Sequence, residues 1–144
     1  RYLALPPILR DGNVAASLVT NGLLLTESLL RDLEDSGLKS VQFSLDGIGS
    51  AHDRLRGHER AFEIVEEAVA TVLNHSDLHL AIAFTPTSFN TEQFPDVISL
   101  LEPNLTGRRG PRVTLSNYVS NPSWFWAVRE RTHLLDRTIP NTVR

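Results

Sequence analysis

Three short apolar runs, residues 14–20, 40–45 and 78–85, each close on a small polar cluster, TNG, SLDG and TPT, and each is followed by a stretch of helical periodicity. Runs this short, bounded by turn residues, read as buried strands. After the first, Thr26 is placed to cap a helix, Glu27 suits its first turn, Leu29, Leu30 and Leu33 form one stripe, and Gly37 is placed for the left-handed position beyond its end. After the second, HERAFEIVEEAVATVLNH sets Phe62, Val65, Val69, Val72 and Leu73 on one face and Glu63, Glu66 and Glu67 on the other. After the third, Asn90 with Gln93 resembles a capping box ahead of Phe94, Val97, Ile98 and Leu101, with Pro95 arguing for a helix start at that proline. A fourth run at 113–119 reads as another strand, and residues 124–135 as a weakly patterned final helix.

Strands alternating with helices at this spacing predict an α/β chain built of βαβ units on a parallel sheet. Right-handed crossovers bring every strand's carboxyl end to one edge, where α/β proteins place ligands. Thr20, Asn21, Ser44 and Asp46 are the polar residues expected there.

Composition narrows the function. A chain of 144 residues with 41% hydrophobic content suffices for one domain core. A net charge of −3 gives no field for nucleic acid or an anionic membrane, basic residues gathering only at 108–112 and 129–131. With no apolar run near the roughly 20 residues a membrane span needs, and no leader pattern, neither partner is expected and a cytoplasmic location is. The chain contains no cysteine, so it offers no disulfide, thiolate nucleophile or thiolate metal ligand. It also begins with Arg and has no Met, which reads as a segment of something longer.

Each motif admits a plain reading beside a functional one. Asn21–Gly22 is a common turn, and Gly22 suits a positive φ. Ser44 and Asp46 lie on one side of an extended chain and suit a polyhydroxylated ligand such as a ribose; alternatively Asp46 organises the turn into GIGS. His52, Asp53 and His58 match no common zinc or iron spacing, and His52–Asp53 reads more simply as a loop staple. Arg54, Arg56 and Arg60 suit a carboxylate or phosphate, or pair with Asp53 and Glu59. WFW at 124–126 reads as a core or interface anchor, and no Walker loop, GxGxxG or Ser-His-Asp order occurs.

Taken in order, TNG, SLDG, the His52–Asp53 and Arg56–Gly57 pairs, the amphipathic helix and TPTSFN with Asn90 resemble the radical S-adenosylmethionine enzymes, and within them the SPASM-type branch that modifies peptides and proteins. The resemblance covers roughly residues 14–101. It implies a partial (β/α)6 barrel, about four of six strands with helices outside, whose strand ends hold S-adenosylmethionine and a 4Fe-4S cluster. There a 5′-deoxyadenosyl radical is released and abstracts a substrate hydrogen. By position, Ser44 and Asp46 fall toward the ribose or methionyl end, Thr20 and Asn21 line the neighbouring strand end, and LAIAF passes near the adenine.

The family's cysteine loop and first two strands lie upstream of everything matched. The resemblance therefore implies one incomplete domain over 1–144, the middle of a longer enzyme with a peptide or protein substrate. No catalytic residue or metal ligand is assigned to this chain. The alternative is a non-catalytic α/β nucleotide- or peptide-binding domain that has lost the iron–sulfur site.

Overall fold

The computed structural model describes residues 5–101 and 112–115. Their order is α1 (Leu5–Asp11), β1 (Ala16–Thr20), α2 (Glu27–Asp35), β2 (Leu38–Ser44), α3 (Ser50–Arg56), α4 (Ala61–His75), β3 (His79–Phe84), a 3-10 turn at Thr91–Gln93, α5 (Phe94–Leu101) and β4 (Arg112–Leu115). The first three strands form a parallel sheet in chain order, with Thr20 beside Phe43 and Ser44 beside Ala83. The short β4 pairs in parallel with β3. The expected α/β chain with a parallel sheet is what the structure shows; residues 116–119 of the fourth expected strand, and the expected helix at 124–135, lie outside the described residues.

Chain order in the sheet decides which side the helices take. Successive right-handed crossovers that always step in one direction set every connecting helix on the same face. Burial follows that rule. Val41, Phe43, Leu80, Ile82 and Phe84 are buried against Leu30 and Leu33 of α2, Val65, Ala68 and Val72 of α4, and Val97 and Ile98 of α5. Alternate residues line the other face, which none of the described helices covers: Ser17, Val19, Ser40, Gln42, Ser44, His79 and Ala81, polar or small apart from Val19. Near its amino edge the Ser17 and Ser40 hydroxyls bond each other across the strands.

The helices begin and end for local reasons. The Thr26 side chain accepts from Leu29 N–H at 3.2 Å and caps α2, and Gly37, at φ 104°, follows its end. Two expectations need correction. The long second helix does not start at His58: residues 50–56 form a separate helix, closed by Gly57 in the left-handed conformation, and α4 starts at Ala61. Asp53 of α3 supplies the α4 cap, accepting from Phe62 N–H at 2.8 Å, and its charge suits a helix amino end. Asn90 and Gln93 form no capping box, because their side chains bond other loops. α5 starts at Phe94, leaving Pro95 in the first turn, where a missing N–H costs nothing.

Gly22 sits at a close approach between the sheet edge and α4. Its φ is 80°, and a Cβ there would lie 3.0 Å from the Ala68 Cβ of α4. Gly22→Ala is expected to cost about 1–3 kcal/mol, from the left-handed backbone and the contact together. Chemical denaturation measures it, and a loss under about 0.5 kcal/mol would contradict this packing.

Candidate functional site

The carboxyl edge gathers three loops: 20–26 after β1, 46–50 after β2 and 85–91 after β3. At its centre Asp46 is 7% exposed and all its polar groups are engaged. Its N–H donates to His52 Nδ1 at 3.0 Å, and its carbonyl accepts from Asn90 Nδ2 at 2.9 Å. Its carboxylate accepts from Thr85 N–H at 2.8 Å through Oδ1 and from the Arg56 guanidinium through Oδ2. A buried carboxylate needs such compensation, since an unpaired charge in the interior is costly.

Asn90, 1% exposed, is fully satisfied. Its Nδ2 also donates to Thr85 O at 3.0 Å, while Oδ1 accepts from the N–H of Thr87 at 2.6 Å and from its hydroxyl at 2.8 Å. The Thr87 N–H can only donate, which fixes the orientation of the amide. Gln93 adds a further tie, accepting from Ile48 N–H at 3.1 Å. The β2–α3 and β3–α5 loops are thus fastened to each other.

His52 is buried, and burial is the main cause of its lowered pKa. The Arg56 charge lowers it further, against opposing contributions from Asp46 and Asp53. Because Nδ1 accepts a hydrogen bond, the neutral ring carries its proton on Nε2.

The four residues singled out from the sequence take different positions. Ser44 lies half-buried on the uncovered face beside Ala83. Exposed Asn21 accepts from Leu23 N–H at 3.3 Å through Oδ1. Thr20 is level with core-facing Phe43 and accepts from Gly22 N–H at 3.2 Å. Asp46 is turned into the network just described. Arg56, left open between anion and ion-pair roles, pairs with Asp46 rather than Asp53. Arg60 pairs with Glu63 and Glu67, not Glu59. The staple reading of His52 and Asp53 matches their bonds, and among the described residues no group of three metal-ligating side chains occurs. Sequence reasoning did not foresee the joining role of Asn90; its one signal was its place in TPTSFN.

No family model matches the chain. Curated relatives do. The chain is 29% identical over 93 residues to the Fe-coproporphyrin III synthase of Methanosarcina barkeri, covering 65% of this chain and 23% of that protein. It is 25% identical over 138 residues to the AdoMet-dependent heme synthase of the same organism, covering 86% and 39% respectively. It is 33% identical over 91 residues to the PqqA peptide cyclase of Bradyrhizobium diazoefficiens, covering 62% and 24%. The chain is therefore a relative of the radical S-adenosylmethionine enzymes, and spans less than half the length of each of these three.

Two outcomes are expected at this network. Asn90→Ala removes the hydrogen bonds to the carbonyls of Asp46 and Thr85 and costs about 1–3 kcal/mol; Asn90→Asp costs more, because a carboxylate then faces those carbonyls. Equal denaturation midpoints for wild type and Asn90→Asp would contradict the network. For His52, the folded pKa lies below the ordinary imidazole value of 6.5, so the unfolded chain binds the proton first as pH falls. Stability is full above about pH 6.5 and declines as pH drops toward the folded pKa. Thermal unfolding at stepped pH should show a steeper acid loss in wild type than in His52→Asn, whose Oδ1 replaces the acceptor without titrating.

Proposed function

We propose that the chain is the central part of a radical S-adenosylmethionine enzyme of the SPASM type, acting on a peptide or protein. In this reading the sheet is part of a (β/α)6 barrel, its uncovered face is the barrel interior, and the carboxyl edge holds the nucleoside end of the cofactor. The observation that carries it is a parallel sheet wound in one direction, with Ser44 on the uncovered face beside a rigidly bonded strand end. The relatives support this chemistry and, through the peptide cyclase, a peptide substrate.

The donor set fits S-adenosylmethionine. Ser44 Oγ and Asn21 Nδ2 offer a donor-acceptor and a donor to ribose hydroxyls, and the small side chain of half-buried Ala81 leaves room for a flat base. Thr20 and Asp46 act from behind: Thr20 shapes the turn that presents Asn21, and Asp46 holds the chain that follows Ser44. When bound, the cofactor supplies a 5′-deoxyadenosyl radical for hydrogen abstraction. The 4Fe-4S cluster does not fit this chain, which has no thiolate to ligate iron. Its ligands belong to other residues of the proposed longer protein.

Isothermal titration with S-adenosylhomocysteine tests the reading. Wild type is expected to bind, and Ser44→Ala to bind about 2–10-fold more weakly, the loss of one hydrogen bond. Absence of binding by wild type, or equal affinity in Ser44→Ala, contradicts the assignment. The non-catalytic alternative, a domain that holds the same ligand without chemistry, is separated by assaying the full-length protein for reductive cleavage of S-adenosylmethionine.

A further inference from the structure

The carboxyl-edge loops are short of charge and carry exposed apolar tips. Over 20–26, 46–50 and 85–91 the one acidic or basic side chain is Asp46, and it is buried against Arg56. Meanwhile Leu24 is 83% exposed, Phe89 86% and Leu23 45%. Scattered apolar side chains on a surface need no explanation, but these three sit on the loops flanking one strand end. β1 and β3 border β2 on either side, about 10 Å apart at two strand spacings.

Local bonding holds these tips outward. Buried Gly22 and half-buried Leu25 anchor the first loop, with Leu25 N–H donating to Gly22 O at 2.9 Å, so Leu23 and Leu24 form the projecting turn. In the third loop Asn90 is buried and Thr87 is bonded to it, so Phe89 between them faces out.

Resting on the proposed reading of this edge, we infer that Leu23, Leu24 and Phe89 form a docking rim for an uncharged, apolar segment of a peptide substrate. Charge complementarity argues for that occupant over the other class among the relatives. A coproporphyrin carries several carboxylates and calls for basic partners, and these loops hold none. An apolar peptide segment gains by covering large exposed side chains and meets no unpaired charge.

The test uses the 144-residue chain and three probes followed by amide NMR: a capped pentapeptide with a Leu-Phe-Leu centre, its Glu-Phe-Glu counterpart, and iron coproporphyrin III. The apolar peptide is expected to shift resonances of Leu23, Leu24 and Phe89 and to bind about tenfold more tightly than the acidic one. In Leu24→Asp with Phe89→Asp that affinity should drop about fivefold or more while S-adenosylhomocysteine affinity stays unchanged. Equal or tighter binding of the acidic peptide or of iron coproporphyrin III overturns the inference, as do shifts that avoid these loops in wild type. S-adenosylhomocysteine titrated into the same sample separates the two proposals. Nucleoside binding without peptide preference removes the docking rim alone, and peptide preference without nucleoside binding removes the nucleoside assignment alone.

Discussion

The buried carboxylate of Asp46 is the constraint around which the carboxyl edge is organised. A charge removed from water has to be balanced, and the balance comes from the Arg56 guanidinium on α3 and the Thr85 N–H at the end of β3. Because the Asp46 backbone is also bonded, to His52 and Asn90, one residue ties together two strand ends, a helix and the approach to α5. Loosening any one partner leaves a buried polar group unmatched, so the group behaves as a unit. Geometry at Ser44, two residues away, follows from this anchoring.

Much of the fold was legible in period and punctuation. The alternation of Leu80, Ile82 and Phe84 with His79 and Ala81 divides β3 into a buried and a more open side as expected, while Ala83, expected on the open side, is itself buried. Thr26 and Gly37 mark the ends of α2 because caps act within a few residues and leave a local signature. What escaped was decided over longer distances. The cap of α4 comes from Asp53 on a preceding helix, and nothing adjacent to Ala61 announces it. Asn90 and Gln93 have capping-box spacing, yet Asp46 O and Ile48 N–H, more than 40 residues upstream, hold their side chains.

The same distinction governs the candidate site. Residue type and strand parity identified Asp46 as important, but its partners depended on α3, whose separation from α4 rests on a left-handed Gly57. Thr20 and Asn21 are at the edge as expected, and their side-chain oxygens serve the turn itself, which is the plain reading of TNG carried beside the functional one. Proximity at a sheet edge therefore does not settle which polar atoms remain for a ligand. The polar groups of Asp46 are all engaged within the fold, which leaves Ser44 and the Asn21 amide nitrogen as the proposed ligand contacts.

Rigidity and exposure divide along the edge in a way that suits two different tasks. Behind Ser44, four polar groups of Asp46 and four side-chain bonds of Asn90 hold the backbone to one geometry, which would limit the ordering that the proposed nucleoside has to impose on binding. In front, the tips at Leu24 and Phe89 are anchored at their bases while their side chains face water, a condition relieved only by covering them. Under the proposed reading, the polar, fixed floor would select hydroxyls by direction, and the uncharged rim would select by the absence of charge. The two surfaces arise from one topology, since parallel strands wound in a single direction deliver the end of every strand, bonded or projecting, to the same edge.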